Sequence, residues 1–281
     1  MVPEEPLPQP IADGEGLGNR FLLYHQLEDF QLAWLQEAAP NICREQYDGL
    51  LVIEPRQQPG ELAVQVINRD GSDGGVCLNG LRVVALWSGE ADGVLHMAGK
   101  QLPWRRMAMP AIFDPNVDPR VLDDHIDLHL LPHTLPDSLW QPHPLQVAGH
   151  SAWAVGFWNP HCVVEVDDPS TVDLSSIAAQ ARQRADLFPN GANVEVVNFN
   201  QAQMRVDERG VGETQACGSG AVAVAVAIWS CHRAAVTQAA DGGSRQPLLV
   251  QMPGGNLTLE RPTSGGIRLA GAATVSCFEG K

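Results

Sequence analysis

The chain has 281 residues, of which 44% are hydrophobic, and its formal net charge is −15. That hydrophobic content suffices for a sizeable core, so two lobes or one large domain are expected and a largely disordered chain is not. The negative charge argues against a nucleic acid or an anionic membrane as partner, because phosphate groups would repel such a surface.

The cysteines and the apolar runs predict a cellular location. The six cysteines form no CxxC pair and lack the dense spacing of a small secreted scaffold, so reduced thiols are expected. The start, MVPEEPLPQP, has neither the basic residue nor the apolar stretch of a signal peptide. The run AVAVAVAIW is far shorter than the roughly 20 residues that span a bilayer. We therefore expect a soluble, cytoplasmic protein that contacts no membrane.

The first part of the chain alternates predicted strands and helices. FLLYHQ is predicted as a strand, FQLAWLQEAAP as a helix that ends at Pro40, and GLLVIEP and ELAVQVINRDG as strands bounded by proline and glycine. A helix follows Cys77. The proline-punctuated stretch from Pro115 to Pro144 is predicted to cross into a second lobe.

The second part repeats this order of elements. The predicted elements are strands in HSAWAVGF and HCVVEVDD, a helix in LSSIAAQARQRA, strands in ANVEVVNFN and AQMRVDERG, a helix after Cys217, and strands in LLVQMPGG, LTLERP and IRLAGAATVSCF. We predict an α+β fold with two pseudo-symmetric lobes, residues 1–118 plus 265–281 and residues 119–264. Each lobe is expected to wrap a mixed, mostly antiparallel sheet around a central helix, because the second helix is apolar on all faces.

Two cysteines occupy matching points of similar segments about half the chain apart. Cys77 lies in VCLNGLRVVALW and Cys217 in ACGSGAVAVAVAIW, and each is followed three residues later by a glycine. A helix start offers unpaired N–H groups and a positive dipole end, so a thiol there ionises readily. Two thiols on opposite faces of one carbon suit racemisation or epimerisation, since one removes an α-proton and the other returns one.

Lysine usage bears on the cofactor. The only lysines are Lys100 and the final residue, Lys281. Pyridoxal chemistry needs a Schiff-base lysine, and Lys100 lies in the turn-like AGKQLPW. The sequence therefore favours direct proton transfer by side chains, without a cofactor.

The segment DERGVGETQACGSGAVAVA, with FWNPHCVVEVDD and FPNGANVEVV before it, resembles the diaminopimelate epimerase family. EGLGNRF and INRDGSDGGVCLNGLR fall in the same order as in that family. The resemblance implies interconversion of LL- and meso-diaminopimelate by two cysteines, without pyridoxal or metal, on the route to lysine and peptidoglycan. It also implies an active site in the cleft between two lobes, a small amino-acid substrate and a homodimer.

The resemblance assigns roles residue by residue. Cys77 and Cys217 match the acid/base pair, supported by His161 and Glu208. Arg209 is expected to bind the distal carboxylate of the substrate bidentately, and Glu208 to accept from an ammonium group. The matched substrate-binding positions are Asn19, Asn68, Asn79, Gly80, Asn159, Asn193, Glu208, Arg209, Gly218 and Ser219.

Four residues depart from the family pattern near substrate-contacting positions: Leu78, Gly49, Arg20 and Trp158. Leu78 stands where the family has a glycine, so crowding of the substrate carboxylate is expected. Two alternatives stay open at this point. One is a pyridoxal-independent racemase of another amino acid, such as histidine, and the other is a paralogue that binds an amino acid without turning it over.

His125, His129 and His133 are spaced by four residues, which suggests a metal site on a helix. However, the alternation in HIDLHL predicts a strand whose wet face carries His125, Asp127 and His129, and Pro132 breaks any helix. No metal site is therefore predicted.

Overall fold

The structure, a computed structural model, describes residues 7–107, 125–231 and 247–278. The chain divides into two compact units, one reaching to Ile126 and resuming at Ala272, the other running from Asp127 to Gly271. The predicted boundary between residues 118 and 119 lies outside the described residues. Each unit is α+β, as predicted from the sequence.

The described part of the first unit combines a mixed sheet with two helices. The helices are Asp29–Cys43 (α1) and Leu78–Trp87 (α2), and the strands are Ala12–Gly16 (β1), Asn19–His25 (β2), Gly49–Pro55 (β3), Glu61–Asn68 (β4), Asp92–Met97 (β5), Lys100–Met107 (β6) and Thr274–Cys277, the last strand of the chain. That last strand pairs antiparallel with β1. β2–β3 and β4–β5 are parallel pairs, whereas β1–β2, β3–β4 and β5–β6 are antiparallel.

The prediction that α1 ends at Pro40 is wrong, because the helix continues to Cys43. Pro40 has no N–H for the carbonyl one turn earlier, which costs one backbone hydrogen bond. Leu35, Ala39 and Cys43 nevertheless lie on one stripe and are all fully buried in a cluster with strands β2, β3 and β4. The Arg44 N–H closes the last turn on the Pro40 carbonyl at 3.3 Å. Packing of this stripe therefore outweighs the lost hydrogen bond.

The second unit repeats the combination of a sheet with two helices. Among its described residues, the helices are Leu174–Arg182 (α3) and Gly218–Ser230 (α4), and the strands are His125–Leu130 (β7), His143–Val147 (β8), His150–Phe157 (β9), Asn159–Glu165 (β10), Asn193–Asn198 (β11), Gln203–Glu208 (β12), Gly212–Thr214 (β13), Leu248–Met252 (β14), Gly255–Glu260 (β15) and Ile267–Ala272 (β16). The strand Thr274–Cys277 is thus β17. The β10–β11 and β12–β14 pairs are parallel, and β8–β9, β9–β10, β11–β12, β12–β13, β14–β15 and β15–β16 are antiparallel.

Each unit encloses one apolar helix that begins directly after a cysteine. Every residue of α2 from Leu78 to Ala85 is buried, and so is every residue of α4 from Gly220 to Trp229. In the first unit α2 lies against β1, β5, β6 and β17, and in the second α4 lies against β9, β10, β11, β14 and β15. This confirms the prediction of a sheet wrapped around a central helix.

The strand containing HIDLHL is confirmed, but the prediction that Asp127 lies on its wet face is wrong. Asp127 is completely buried and accepts hydrogen bonds from Arg268 and from the His129 ring at 3.0 Å. The guanidinium and the histidine supply the partners that a buried carboxylate needs. Within the described ranges, no cluster of three or more histidine, cysteine or acidic residues has metal-binding geometry.

Where the chain is described, no helix has both the length and the apolar character needed to cross a bilayer.

Candidate active site

Cys77 is the N-cap residue of α2, in extended backbone conformation (φ −121°, ψ 102°). Its Sγ accepts a hydrogen bond from the Gly80 N–H at 3.4 Å, and its own N–H donates to Met97 Sδ at 3.2 Å. The residue is half-buried. The thiol therefore accepts a hydrogen bond from an N–H group of the first helical turn, where backbone donors stabilise an anion.

Asn19 and Asn79 are brought together beside Cys77. The Asn79 side chain, which is 2% exposed, donates from Nδ2 to Asn19 Oδ1 and accepts at Oδ1 from Arg82 Nη2 at 3.1 Å. Asn68 lies at the end of β4, where its Nδ2 donates to Ser72 Oγ at 3.0 Å. The backbone at Asn79 and Gly80 forms the first turn of α2, where a carboxylate can bind.

Arg82 is the charged group beneath this turn. It is fully buried and also donates to the carbonyls of Leu78 and Ala272, both at 3.4 Å. Burial lowers the pKa of Arg82 to about 10, and the charge of Cys77 acts in the opposite direction. Because this attraction is mutual, the guanidinium favours the thiolate form of Cys77.

Cys217 is the N-cap residue of α4, with nearly the same backbone conformation as Cys77 (φ −134°, ψ 112°). The charged groups that act on Cys217 are acidic, whereas the group near Cys77 is the Arg82 cation. The residue is 5% exposed, and burial raises the pKa of its thiol well above the ordinary value, with further raising by Glu208 and Glu195. Hydrogen bonds with Ser219 Oγ, 3.4 Å from Sγ, and with the Gly220 N–H lower the pKa of the Cys217 thiol. The thiol form is therefore favoured at Cys217.

Glu208 and Arg209 lie at the end of β12, in the hairpin that leads to Cys217. Thr214 Oγ1 donates to Glu208 Oε1 at 2.6 Å, and burial raises the pKa of Glu208. The Arg209 N–H donates to Asn193 Oδ1 at 2.9 Å, and its Nη1 donates to the Asn190 carbonyl at 3.0 Å. Burial thus favours the protonated form of the Glu208 carboxyl, and the exposed Arg209 guanidinium is held by the neighbouring loop.

Asn159 and His161 lie on β10, next to the start of β11. His161 is directly opposite Asn193 in the parallel β10–β11 pair, so the two lie side by side. His161 is fully buried, and its Nδ1 is 2.7 Å from Glu195 Oε1. The charge of Glu195 raises the pKa of Glu208, and the charge of His161 lowers it. The second unit therefore gathers Cys217, Glu208, His161 and Asn193.

The structure gives three of the departures from the family pattern a local explanation. Leu78 is 2% exposed, so its side chain packs within the first unit. A Cβ atom at Gly49 would lie 2.6 Å from the Ile67 carbonyl oxygen, so this backbone excludes any side chain there. Arg20 is exposed and pairs with Asp13 at 3.2 Å.

Trp158, the fourth departure, has a left-handed backbone, with φ at 48°. A non-glycine residue in this region is strained. Its ring stacks on Phe157 with centroids 4.3 Å apart, and its Nε1 donates to the Thr134 carbonyl at 3.0 Å. These contacts hold the indole next to Asn159 in spite of the strain.

Two charged residues of these sites, Arg82 and Glu195, are not among the site residues predicted from the sequence. Each is a single charge inside an otherwise apolar element, Arg82 in LNGLRVVALW and Glu195 in NVEVVN. A charge at a core position needs a partner, and that signal would have identified both.

Comparison with known proteins identifies relatives along nearly the whole chain. A family model described as "Diaminopimelate epimerase" matches residues 153–275. Proteins named diaminopimelate epimerase from Moorella thermoacetica and from Synechococcus sp. (strain JA-2-3B'a(2-13)) are each 31% identical to it. The first alignment covers 94% of this chain and 96% of the relative, and the second covers 87% and 88%.

Solved structures share the fold at much lower sequence identity. A PhzF-family phenazine biosynthesis protein from Bacillus anthracis superposes with a TM-score of 0.66 at 12% identity, covering 96% of this chain and 98% of that chain. A hydroxyproline epimerase from Agrobacterium vitis superposes with a TM-score of 0.62 at 12% identity, covering 96% and 92%. These similarities establish the fold alone.

Proposed function

The chain belongs to the diaminopimelate epimerase family and is an isomerase, and from this premise we propose that it interconverts LL- and meso-diaminopimelate by two-cysteine proton transfer. The proposed reaction needs no cofactor and would serve the synthesis of lysine and of peptidoglycan precursors. Relatives named for this activity support the substrate, and the local chemistry of the two units supports the mechanism.

The observation that carries the mechanism is the equivalent position of Cys77 and Cys217. Each is the N-cap of a buried helix whose first turn contains glycine. In the proposed reaction one thiolate removes the substrate α-proton and the other thiol donates a proton to the opposite face. The configuration inverts, and the two cysteines exchange protonation states. The N–H groups of each helix start would stabilise the negative charge that develops on the substrate.

The opposite electrostatic environments of the two cysteines support an assignment for the resting protein. Buried Arg82 favours the thiolate at Cys77, whereas Glu208 and Glu195 raise the pKa of Cys217. Cys77 is then the base and Cys217 the acid when free protein meets substrate. After one turnover Cys77 carries the proton and Cys217 is the thiolate, so the two cysteines have the opposite roles in the reverse conversion.

Arg209 and Glu208 support a substrate with two charged ends. An exposed guanidinium held by the Asn190 carbonyl can bind a carboxylate through two parallel hydrogen bonds. Glu208 beside it can accept from an ammonium group. We propose that these residues hold the distal amino-acid group of diaminopimelate, with Asn19, Asn68, Asn79 and Asn159 binding the remaining polar groups.

The test is incubation of the purified protein with LL-diaminopimelate in D2O, under reducing conditions and without pyridoxal. Meso product carrying deuterium at one α-carbon is expected. Absence of any α-proton exchange would overturn the proposed activity. Histidine, incubated in parallel, tests the alternative racemase, and calorimetric binding without exchange would indicate a non-catalytic paralogue.

The two-thiol mechanism has its own test in cysteine variants. Cys77→Ala and Cys217→Ala should each abolish turnover, because either change removes one of the two proton carriers. Cys277→Ala is the matched control, since Cys277 is exposed on β17. A Cys217→Ala protein with full epimerase activity would contradict the mechanism while leaving the substrate assignment intact.

A further inference from the structure

Glu195 and His161 form a buried pair in the second unit. They lie on the neighbouring parallel strands β10 and β11, where His161 is opposite Asn193 and Glu195 follows two residues later on the same face. His161 Nδ1 is 2.7 Å from Glu195 Oε1, and both side chains are fully buried. The two side chains are therefore held by the register of the sheet.

The other polar atom of each side chain is left without a partner. In the part of the chain that the structure describes, His161 Nε2 and Glu195 Oε2 are buried and accept or donate no hydrogen bond. An ionised carboxylate can only accept, so the proton of this hydrogen bond belongs to His161 Nδ1. The ring then presents Nε2 as a bare acceptor.

Glu195 also lies against the first turn of α4. A Cβ atom placed on Gly220 would be 2.7 Å from Glu195 Oε1, so only a glycine permits this approach. The positive end of α4 favours an anion at this point. The charge of Glu195 raises the pKa of both Cys217 and Glu208, which places it within electrostatic reach of the proton-transfer groups.

A purely structural role does not account for these features. Buried polar atoms in folded proteins are nearly always paired, because an unpaired one costs free energy. Here two adjacent buried side chains each keep one atom unpaired. The charges of both side chains act on Glu208, so the open acceptor nitrogen lies within electrostatic reach of a proton-transfer group, as a proton relay requires.

We propose that Glu195 is a positioning residue for proton transfer, which holds His161 in the Nδ1–H tautomer so that Nε2 can take a proton from a catalytic thiol. This inference rests on the proposed function. In the step, the S–H bond breaks, an N–H bond forms at Nε2, and the thiolate becomes the base. The Glu195 carboxylate offsets the positive charge on the imidazolium, and the proton returns to sulfur by the reverse step.

The kinetic test is the nearly isosteric variant Glu195→Gln. It keeps the size of the side chain but removes the charge that offsets the imidazolium, so kcat should fall by about 10-fold to 100-fold. The KM should change little, because Glu195 acts through His161 and not on the substrate. Asp127→Asn is the matched control, since Asp127 is also a fully buried carboxylate bonded to a histidine, on β7. Equal kcat losses in the two variants would overturn the proposal.

The second test uses the wild-type protein, so it reports the tautomer of His161 even where the variant does not fold. NMR of 13C,15N-histidine-labelled protein reports which ring nitrogen of His161 carries the proton. The Nδ1–H tautomer is expected, and the Nε2–H tautomer would overturn the positioning role. This measurement needs no substrate. Wild-type protein without α-proton exchange would therefore refute the proposed function, while the tautomer would still show whether Glu195 sets the His161 ring.

Discussion

Arg82 donates a 3.1 Å hydrogen bond to the side-chain oxygen of Asn79, two residues after the N-cap Cys77. Through this contact a fully buried cation orients the amide that in turn donates to Asn19. The same guanidinium binds two backbone carbonyls and lies within electrostatic reach of Cys77. One buried side chain thus links the stability of α2 to the chemistry at its start.

Replacing Arg82 should therefore reduce both stability and activity. Arg82→Met removes the guanidinium donor from three oxygens, two of them in buried hydrogen bonds, and we expect the free energy of unfolding to fall by about 2–4 kcal/mol. We expect kcat to fall by about 10-fold or more, because the Cys77 thiolate loses its cation. Urea denaturation and epimerase assays measure the two effects.

Arg69→Met is the control in the same unit. Arg69 is exposed and pairs with Asp48 at 3.3 Å, so its loss should cost less than about 1 kcal/mol. Arg82→Lys keeps the charge but not the planar fork, and it should retain more activity than Arg82→Met. Equal activity in Arg82→Met and Arg69→Met would show that Arg82 does not act on the site.

The two cysteines should differ in reactivity toward alkylating agents. Only the thiolate reacts, and burial with Glu208 and Glu195 raises the pKa of Cys217, whereas Cys77 is half-buried beside a cation. Limited treatment with iodoacetamide at pH 8, followed by peptide mass spectrometry, should find Cys77 modified before Cys217. Glu208→Gln removes one negative charge and should speed the reaction of Cys217. Modification of Cys217 ahead of Cys77 would refute the proposed charge asymmetry.

Arg209 should determine affinity for a substrate with a distal carboxylate. Arg209→Lys keeps the positive charge but loses the bidentate geometry, so we expect KM for diaminopimelate to rise by about 10-fold to 100-fold, with a smaller effect on kcat. Steady-state kinetics with LL-diaminopimelate provide the measurement. The control is Arg184→Lys, on the surface of the same unit, where Arg184 pairs with Asp186. An unchanged KM in Arg209→Lys would contradict the proposed role of Arg209 in binding the distal carboxylate.

The stability of the first unit should fall at alkaline pH through Cys43. Burial raises the pKa of this thiol from 9.0 to about 11. The folded state therefore holds the proton more tightly than the unfolded state does. The resulting stabilisation is complete below pH 9 and is lost as the pH rises toward 11.

Cys43→Ala tests this dependence. The variant should lose about 1 kcal/mol at pH 7 from the small cavity, yet its free energy of unfolding should decline less steeply between pH 9 and 11. Urea denaturation across this pH range measures the slope, with exposed Cys277→Ala as control. Parallel slopes in wild-type and Cys43→Ala protein would show that Cys43 does not contribute.

The recognisable parts of the site are those with local sequence signals. Cys77 and Cys217 each precede a glycine-containing turn and an apolar run, and the structure places both at helix N-caps. The strands bounded by proline and glycine were also predictable, because alternation and turn residues act within a few positions. The end of α1 was not, since burial of Cys43 outweighs the local effect of Pro40.

The sequence by itself determined the reaction class, because two matching cysteines, the scarcity of lysine and the segment around Cys217 are local and readable. Only the tertiary structure decided the electrostatics that distinguish the two thiols. Arg82 lies beneath Cys77, while Glu195 reaches the start of α4 from β11, with strands and helices distant in sequence brought together. Charge effects depend on distance and burial, and neither quantity can be obtained from the order of residues in the chain.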